Sequence, residues 1–124
     1  MKQPIHEAQL AWEVVAAGTR QEVRFKAFSD VGGRAKVGVA LMELPPKCDT
    51  SPAHWHSLEE EHLYAVAGRA TLHLGAERFA LEPGSYVCLP AGQALTHMLE
   101  NTGAEPFRYL MIGERIAGDQ VHRS

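Results

Sequence analysis

The most informative stretch of the chain is His54-Trp55-His56-Ser57-Leu58-Glu59-Glu60-Glu61, running on to Gly68. In a strand, residues i and i+2 point to one face, so His54 and His56 present two imidazoles side by side. A turn at Ser57-Leu58 lets the chain double back, and a carboxylate on the next strand then meets them. Neutral imidazole and carboxylate together suit a borderline or moderately hard divalent ion. The stretch has no thiolate, which argues against a cysteine-rich structural zinc site. With seven histidines among 124 residues, a His-x-His pair is expected by chance about 0.4 times per chain. Requiring Glu61 and Gly68 at their offsets lowers that to about 0.003.

Outward from this stretch, punctuation is frequent. Gly32-Gly33, Pro45-Pro46, Gly68, Gly75, Pro83-Gly84, Pro90 with Gly92, and Gly103 cut the chain into short pieces, a spacing that suits strands and turns better than helices. Several pieces alternate with period two: Val37, Val39 and Leu41; Tyr64 and Val66; Leu72 and Leu74; Phe107, Tyr109 and Met111. The expectation is an all-β sandwich or barrel. Residues 5–20 fit either a short helix or an irregular arm. No repeat, low-complexity tract or long linker divides the chain, so one domain is expected.

Composition narrows the function. The net charge is −3 and Lys and Arg are scattered singly, which argues against nucleic acid as a partner. Cys48 and Cys88 are too few for a disulfide framework and make no CxxC pair, so a reducing compartment is the simpler assumption. No apolar run approaches the ~20 residues needed to cross a bilayer. Lys2, His6 and Glu7 interrupt the segment from Met1 to Trp12, leaving no signal-peptide core. The expectation is a soluble cytoplasmic protein with no membrane partner.

His54-x-His56-x4-Glu61-x6-Gly68 resembles the first cupin motif in every spacing, and Gly84-x5-Pro90-x-Gly92 resembles the opening of the second. That second motif continues with a histidine and, after three intervening residues, an asparagine; here these are His97 and Asn101. Four residues, Gln93 to Thr96, separate Gly92 from His97 where two are usual. The resemblance runs from about Val37 to Ile112. It implies an all-β double-stranded β-helix, the small jelly-roll barrel, over residues 36–124, with residues 1–35 as an N-terminal arm and first strands packed on it. It further implies that His54, His56, Glu61 and His97 converge on one divalent transition metal ion (Zn, Mn, Fe, Ni or Cu), and that two chains pair as a homodimer. The arm around Trp12 and Phe25 is a candidate for covering strand edges.

Other chemistry-bearing residues read as structural. His62 should face away from Glu61, and His73 lies on a strand that normally supplies no ligand. His6 and His122 are expected in solvent, Glu59 and Glu60 as surface charges, and Cys88 as a small packed side chain. No nucleophile elbow is present. Candidate cavity-lining residues are Tyr64, Val39, Leu41, Met98, Tyr109 and Met111, with Arg108 on the alternate face, which suggests a small, mostly apolar or weakly acidic ligand. Three readings stay open: a metal-dependent oxygenase or isomerase/lyase, a non-catalytic small-molecule binding or sensing barrel, and a barrel whose metal is only structural.

Overall fold

Strands form where β-branched and aromatic residues alternate with polar ones, and the two longest set the frame. In the computed structural model, which describes residues 3–31, 33 and 36–123, β3 (Val37–Leu44) and β10 (Phe107–Glu114) pair antiparallel along their full length, with Phe107 opposite Leu44 and Glu114 opposite Val37. Ahead of β3 come β1 (Glu13–Val15), β2 (Val23–Ala27) and a single helical turn, α1 (Phe28–Val31). Between β3 and β10 lie β4 (His54–His56), β5 (Glu61–Ala67), β6 (Ala70–Leu74), β7 (Glu77–Leu81), β8 (Tyr86–Leu89) and β9 (His97–Glu100), and β11 (Val121–Arg123) closes the chain. Two antiparallel sheets result, in the orders β1-β2-β3-β10-β5-β8 and β11-β4-β9-β6-β7. This is the expected jelly-roll barrel.

Residues 5–20 form an arm: one 3-10 turn at Glu7–Gln9, capped by the His6 side chain, and then β1. β1 and β2 extend the six-stranded sheet beyond β3. Gly32 and the expected boundary at residue 35 lie outside the described residues. On the sheet's outer face, Lys26 Nζ sits 4.6 Å and the Arg108 guanidinium 5.3 Å from the centroid of the Trp12 ring, while Lys26 also reaches the Glu7 carboxylate at 2.6 Å. Trp12 thus shields two cations on that face. Phe25 stands opposite Met42 in β3.

The core fills the space between the sheets with Leu44, Leu63, Ala65, Leu72, Leu81, Leu99, Phe107 and Tyr109. Each fully buried leucine contributes about 1.5–3 kcal/mol. The face shared by Phe107, Tyr109 and Met111, and that shared by Leu72 and Leu74, point inward as expected. Three lining expectations are corrected by strand phase. Leu63 and Ala65 turn inward, leaving Tyr64 and Val66 46% and 44% exposed. Met42 and Leu44 turn inward, so Leu41 is buried on the outer face, opposite Lys26 and Leu110. Leu99 and His97 turn inward, so Met98 faces out opposite His73. One-residue shifts of this kind invert a whole strand, and short apolar runs do not specify the phase.

Gly68 makes the β5–β6 turn at φ +78°, and a Cβ there would strike the Pro106 carbonyl, so glycine is required on two counts. The motif asparagine, Asn101, is fully buried. Its amide donates to the Leu44 and Glu105 carbonyls, and its oxygen accepts from Gly103 N–H, so it ties the β9–β10 connection to the end of β3.

Candidate metal centre

The four expected residues meet at one end of the barrel, and each arrives by a separate backbone device. His54 and His56 take one face of β4, as strand alternation requires. Ser57-Leu58 does not make a hairpin: the chain crosses from the five-stranded to the six-stranded sheet, so Glu61, first residue of β5, faces the histidines across the interior. The extension Gln93–Thr96 is taken up before β9, with Ala94 at φ +51° and Thr96 O accepting Gly75 N–H at 2.8 Å. His97 therefore enters the ladder directly opposite His54, at 4.4 Å between ring centroids.

Glu61 Oε1 lies 3.1 Å from His56 Nε2 and 3.6 Å from His97 Nε2. Ligand-capable atoms of His54, His56 and Glu61 all fall within 4.8 Å of one another. Gly113 stands opposite Glu61 in the ladder, and a Cβ on it would come 3.3 Å from Glu61 Cγ. Glycine there leaves the carboxylate room to lie over β10.

Electrostatics make the cluster unusual. Glu61 Oε1 and His97 Nε2 are buried and neither has a hydrogen-bond partner among the described residues, whereas buried polar atoms are almost always paired. Burial alone would push the Glu61 carboxyl up, but His97, His56 and His54 outweigh it and hold it below the usual range. Burial, aided by His97, lowers His54 and so favours the neutral imidazole. A carboxylate oxygen with imidazole nitrogens at 3.1 and 3.6 Å is the donor set of a divalent cation once those nitrogens carry no proton, and the residues present fit one.

Behind the cluster stands a residue that sequence reasoning missed. Asp119 Oδ2 lies 2.7 Å from His56 Nδ1, and its other oxygen accepts Leu58 N–H and Glu59 N–H. Burial opposes ionisation of Asp119, but these contacts prevail and pull it down to about 2. When Nδ1–H donates to Asp119, Nε2 is the ring nitrogen that faces Glu61. Asp119 lies in the segment leading to β11, whose Val121 pairs with His56, and no motif spacing reaches that far.

Among the described residues, a cavity of about 220 Å³ adjoins the cluster, lined by Met42, Leu63, Leu72, Leu99, Tyr109 and Met111 beside His54, Glu61 and His97. No lysine or arginine among the described residues lines it. A more open depression adjoins it, sharing Met42, Glu61 and Met111, and carries Val39, Glu59, Glu114 and Arg115.

The remaining expectations divide. His62 and His73 face outward as read from alternation, bonded to Glu60 and Tyr86 and to Glu100 respectively, and His6 is exposed. His122 is not simply solvated: its ring stacks on Trp55 at 4.3 Å. Glu59 is more than a surface charge, because it accepts Ile116 N–H at 2.8 Å. Cys88 is not packed in the core; it sits opposite His62, on the face away from Val87 and Leu89.

Two antiparallel sheets closed into a jelly roll, with a His-x-His pair, a glutamate and a third histidine gathered at one end, define a class of small β-barrel proteins. The chain belongs to the cupin family: residues 40–113 match its family model, described as a cupin domain. Among solved structures it is similar to a sugar phosphate isomerase from a cupin superfamily of Silicibacter pomeroyi, at 25% identity and TM-score 0.78, covering 82% of this chain and 65% of that one; it thus spans just under two-thirds of that relative. A predicted oxalate decarboxylase of Thermotoga maritima shares the fold at 22% identity and TM-score 0.79, covering 92% and 100% of the two chains. The polyketide cyclase RemF of Streptomyces resistomycificus shares it at 20% identity and TM-score 0.83, covering 99% and 85%. No curated protein matches the chain. Among the described residues, no helix is long and apolar enough to cross a membrane.

Proposed function

We propose that this chain is a metal-dependent enzyme of the isomerase or lyase type, in which His54, His56, Glu61 and His97 hold one divalent transition metal ion beside a cavity for a small organic molecule. The observation that carries this reading is the buried, unpartnered pair Glu61 Oε1 and His97 Nε2. When bound, such an ion supplies Lewis acidity to the oxygens of an enol or hydroxy-carbonyl substrate.

The chain's own residues set the substrate. The cavity of about 220 Å³ exceeds the ~150 Å³ that admits benzene and falls short of the ~300 Å³ at which drug-sized pockets begin. Its largely apolar walls favour a compact, uncharged or weakly acidic molecule. Among the described residues no lysine or arginine lines this cavity, and Arg115 in the adjoining depression is paired with Asp30; this argues against a phosphorylated substrate, even though the relative from Silicibacter pomeroyi is named for one. Burial raises Tyr109 and keeps its phenol protonated, so it serves the cavity as a donor rather than a base.

Elemental analysis of reconstituted wild type and of His56→Ala tests the centre: the variant should retain one ion fewer. A wild type with no stoichiometric metal overturns the reading. Turnover of small hydroxy-carbonyl and dicarbonyl compounds without dioxygen uptake supports isomerase or lyase chemistry. Dioxygen uptake would replace it with oxygenase chemistry, and tight binding without turnover with a sensing role.

A further inference from the structure

We propose that the outer face of β5 and β8 carries a second, solvent-open metal site for a zinc-class ion, formed by Glu60, His62 and Cys88, with Tyr86 orienting the imidazole. It shares no residue with the interior cluster. Glu61 points into the barrel, so alternation sends the side chain of His62 to the opposite face, where the preceding Glu60 joins it. His62 stands opposite Cys88 in the β5–β8 ladder, and Tyr64 opposite Tyr86.

A carboxylate oxygen of Glu60, a ring nitrogen of His62 and Cys88 Sγ lie within 4.8 Å of one another. His62 Nε2 is 2.6 Å from Glu60 Oε2, and Nδ1 is 2.6 Å from the Tyr86 hydroxyl. The two rings stack at 5.8 Å and 19°, which fixes the imidazole plane. Both are hydrogen-bond distances: with Nε2–H donating to Glu60, Nδ1 accepts from the Tyr86 hydroxyl, and a bound ion would take the place of the Nε2 proton while Nδ1–H turns donor toward Tyr86. This is the arrangement in which an outer partner orients a ligating histidine.

The donor types choose the ion. One thiolate, one imidazole and one carboxylate, with a position left for water, suit zinc and disfavour calcium or magnesium, which take oxygen ligands. The side chains of Glu60 and His62 are 47% and 33% exposed, so an ion can enter from solvent. Once there it would tie β8, an edge strand, to β5 immediately behind Glu61.

Cobalt(II) titration of the reduced, full-length protein tests the site, because only a thiolate ligand produces a sulfur-to-cobalt charge-transfer band and the interior cluster has none. Wild type should show the band; Cys88→Ser and His62→Gln should lose it while retaining the interior ion. His56→Ala should keep the band and lose the interior ion, and Cys48→Ser should change neither. Zinc should protect Cys88 from alkylation in wild type and not in His62→Gln. A wild type without the band at saturating cobalt overturns the proposal. So does a band that survives Cys88→Ser, or alkylation of Cys88 that zinc does not slow.

Discussion

His56 Nδ1 and Asp119 Oδ2 lie 2.7 Å apart across 63 residues of sequence. The contact joins the start of the cluster to the segment leading into β11 and sets which imidazole nitrogen faces Glu61. Carboxylate partners of this kind raise ligand basicity and hold ring orientation. Asp119→Ala should therefore weaken metal binding by about 10–100-fold, with Asp119→Asn losing less because its amide oxygen still accepts Nδ1–H. Competition against a chromophoric chelator measures both. Equal affinity in all three proteins would show that the contact only pins the C-terminal segment.

Glu61→Gln separates binding from folding. The wild-type carboxylate is buried, but the surrounding histidines hold it below its usual range, so its ionised form adds some stability to the metal-free fold at neutral pH. The variant should bind the interior ion more weakly while keeping its fold, and its metal-free thermal midpoint at pH 7 should fall only modestly below that of wild type. Calorimetry with and without chelator reads both. Loss of the fold would instead mark the site as structural.

Asn101→Ala removes the partner of two carbonyls and one N–H at a position with no solvent access. Leaving such groups unpaired costs about 1–3 kcal/mol each at most, and partial relaxation brings the total to about 3 kcal/mol. Urea unfolding should show that loss with little change in slope. Metal affinity measured on the folded fraction should change far less than in Asp119→Ala.

Acid sensitivity should arise in part at Asp49. Its carboxylate is buried and accepts from Arg20 Nε at 2.7 Å and Ser51 N–H at 2.9 Å. Burial works against ionisation there, but the Ser51 and Arg20 contacts prevail and hold the group below its ordinary value. A lowered folded value means stability that is present above the unfolded value of about 3.9 and disappears as pH falls through the folded one. Asp49→Asn should thus be less stable than wild type at pH 7, by about 1–3 kcal/mol. The gap should close as pH falls below about 4. Chemical denaturation across pH 2–7 checks this, and a gap independent of pH would place the cause in packing.

Much of this molecule was legible before any fold was known. The spacings around His54, His56, Glu61 and Gly68 are local, because strand alternation and a turn glycine act over a few residues. They therefore carried the resemblance that implied the barrel and the cluster, and the alternation of Phe107, Tyr109 and Met111 marked one face of a strand. The two extra residues before His97 left its approach open. Only the β4–β9 ladder, which sets His97 opposite His54, resolved it. The inward phase of β3, β5 and β9 was likewise decided by cross-strand packing, since Tyr64 or Leu63, and Met98 or Leu99, are equally apolar neighbours. Asp119, and the meeting of Cys88 with His62, depend on contacts between segments far apart in the chain. Sequence by itself determined which residues at fixed spacing are candidates to hold an ion. Tertiary structure alone decided which distant groups orient them, because hydrogen bonds and ion sites form between strands brought together by burial of the core.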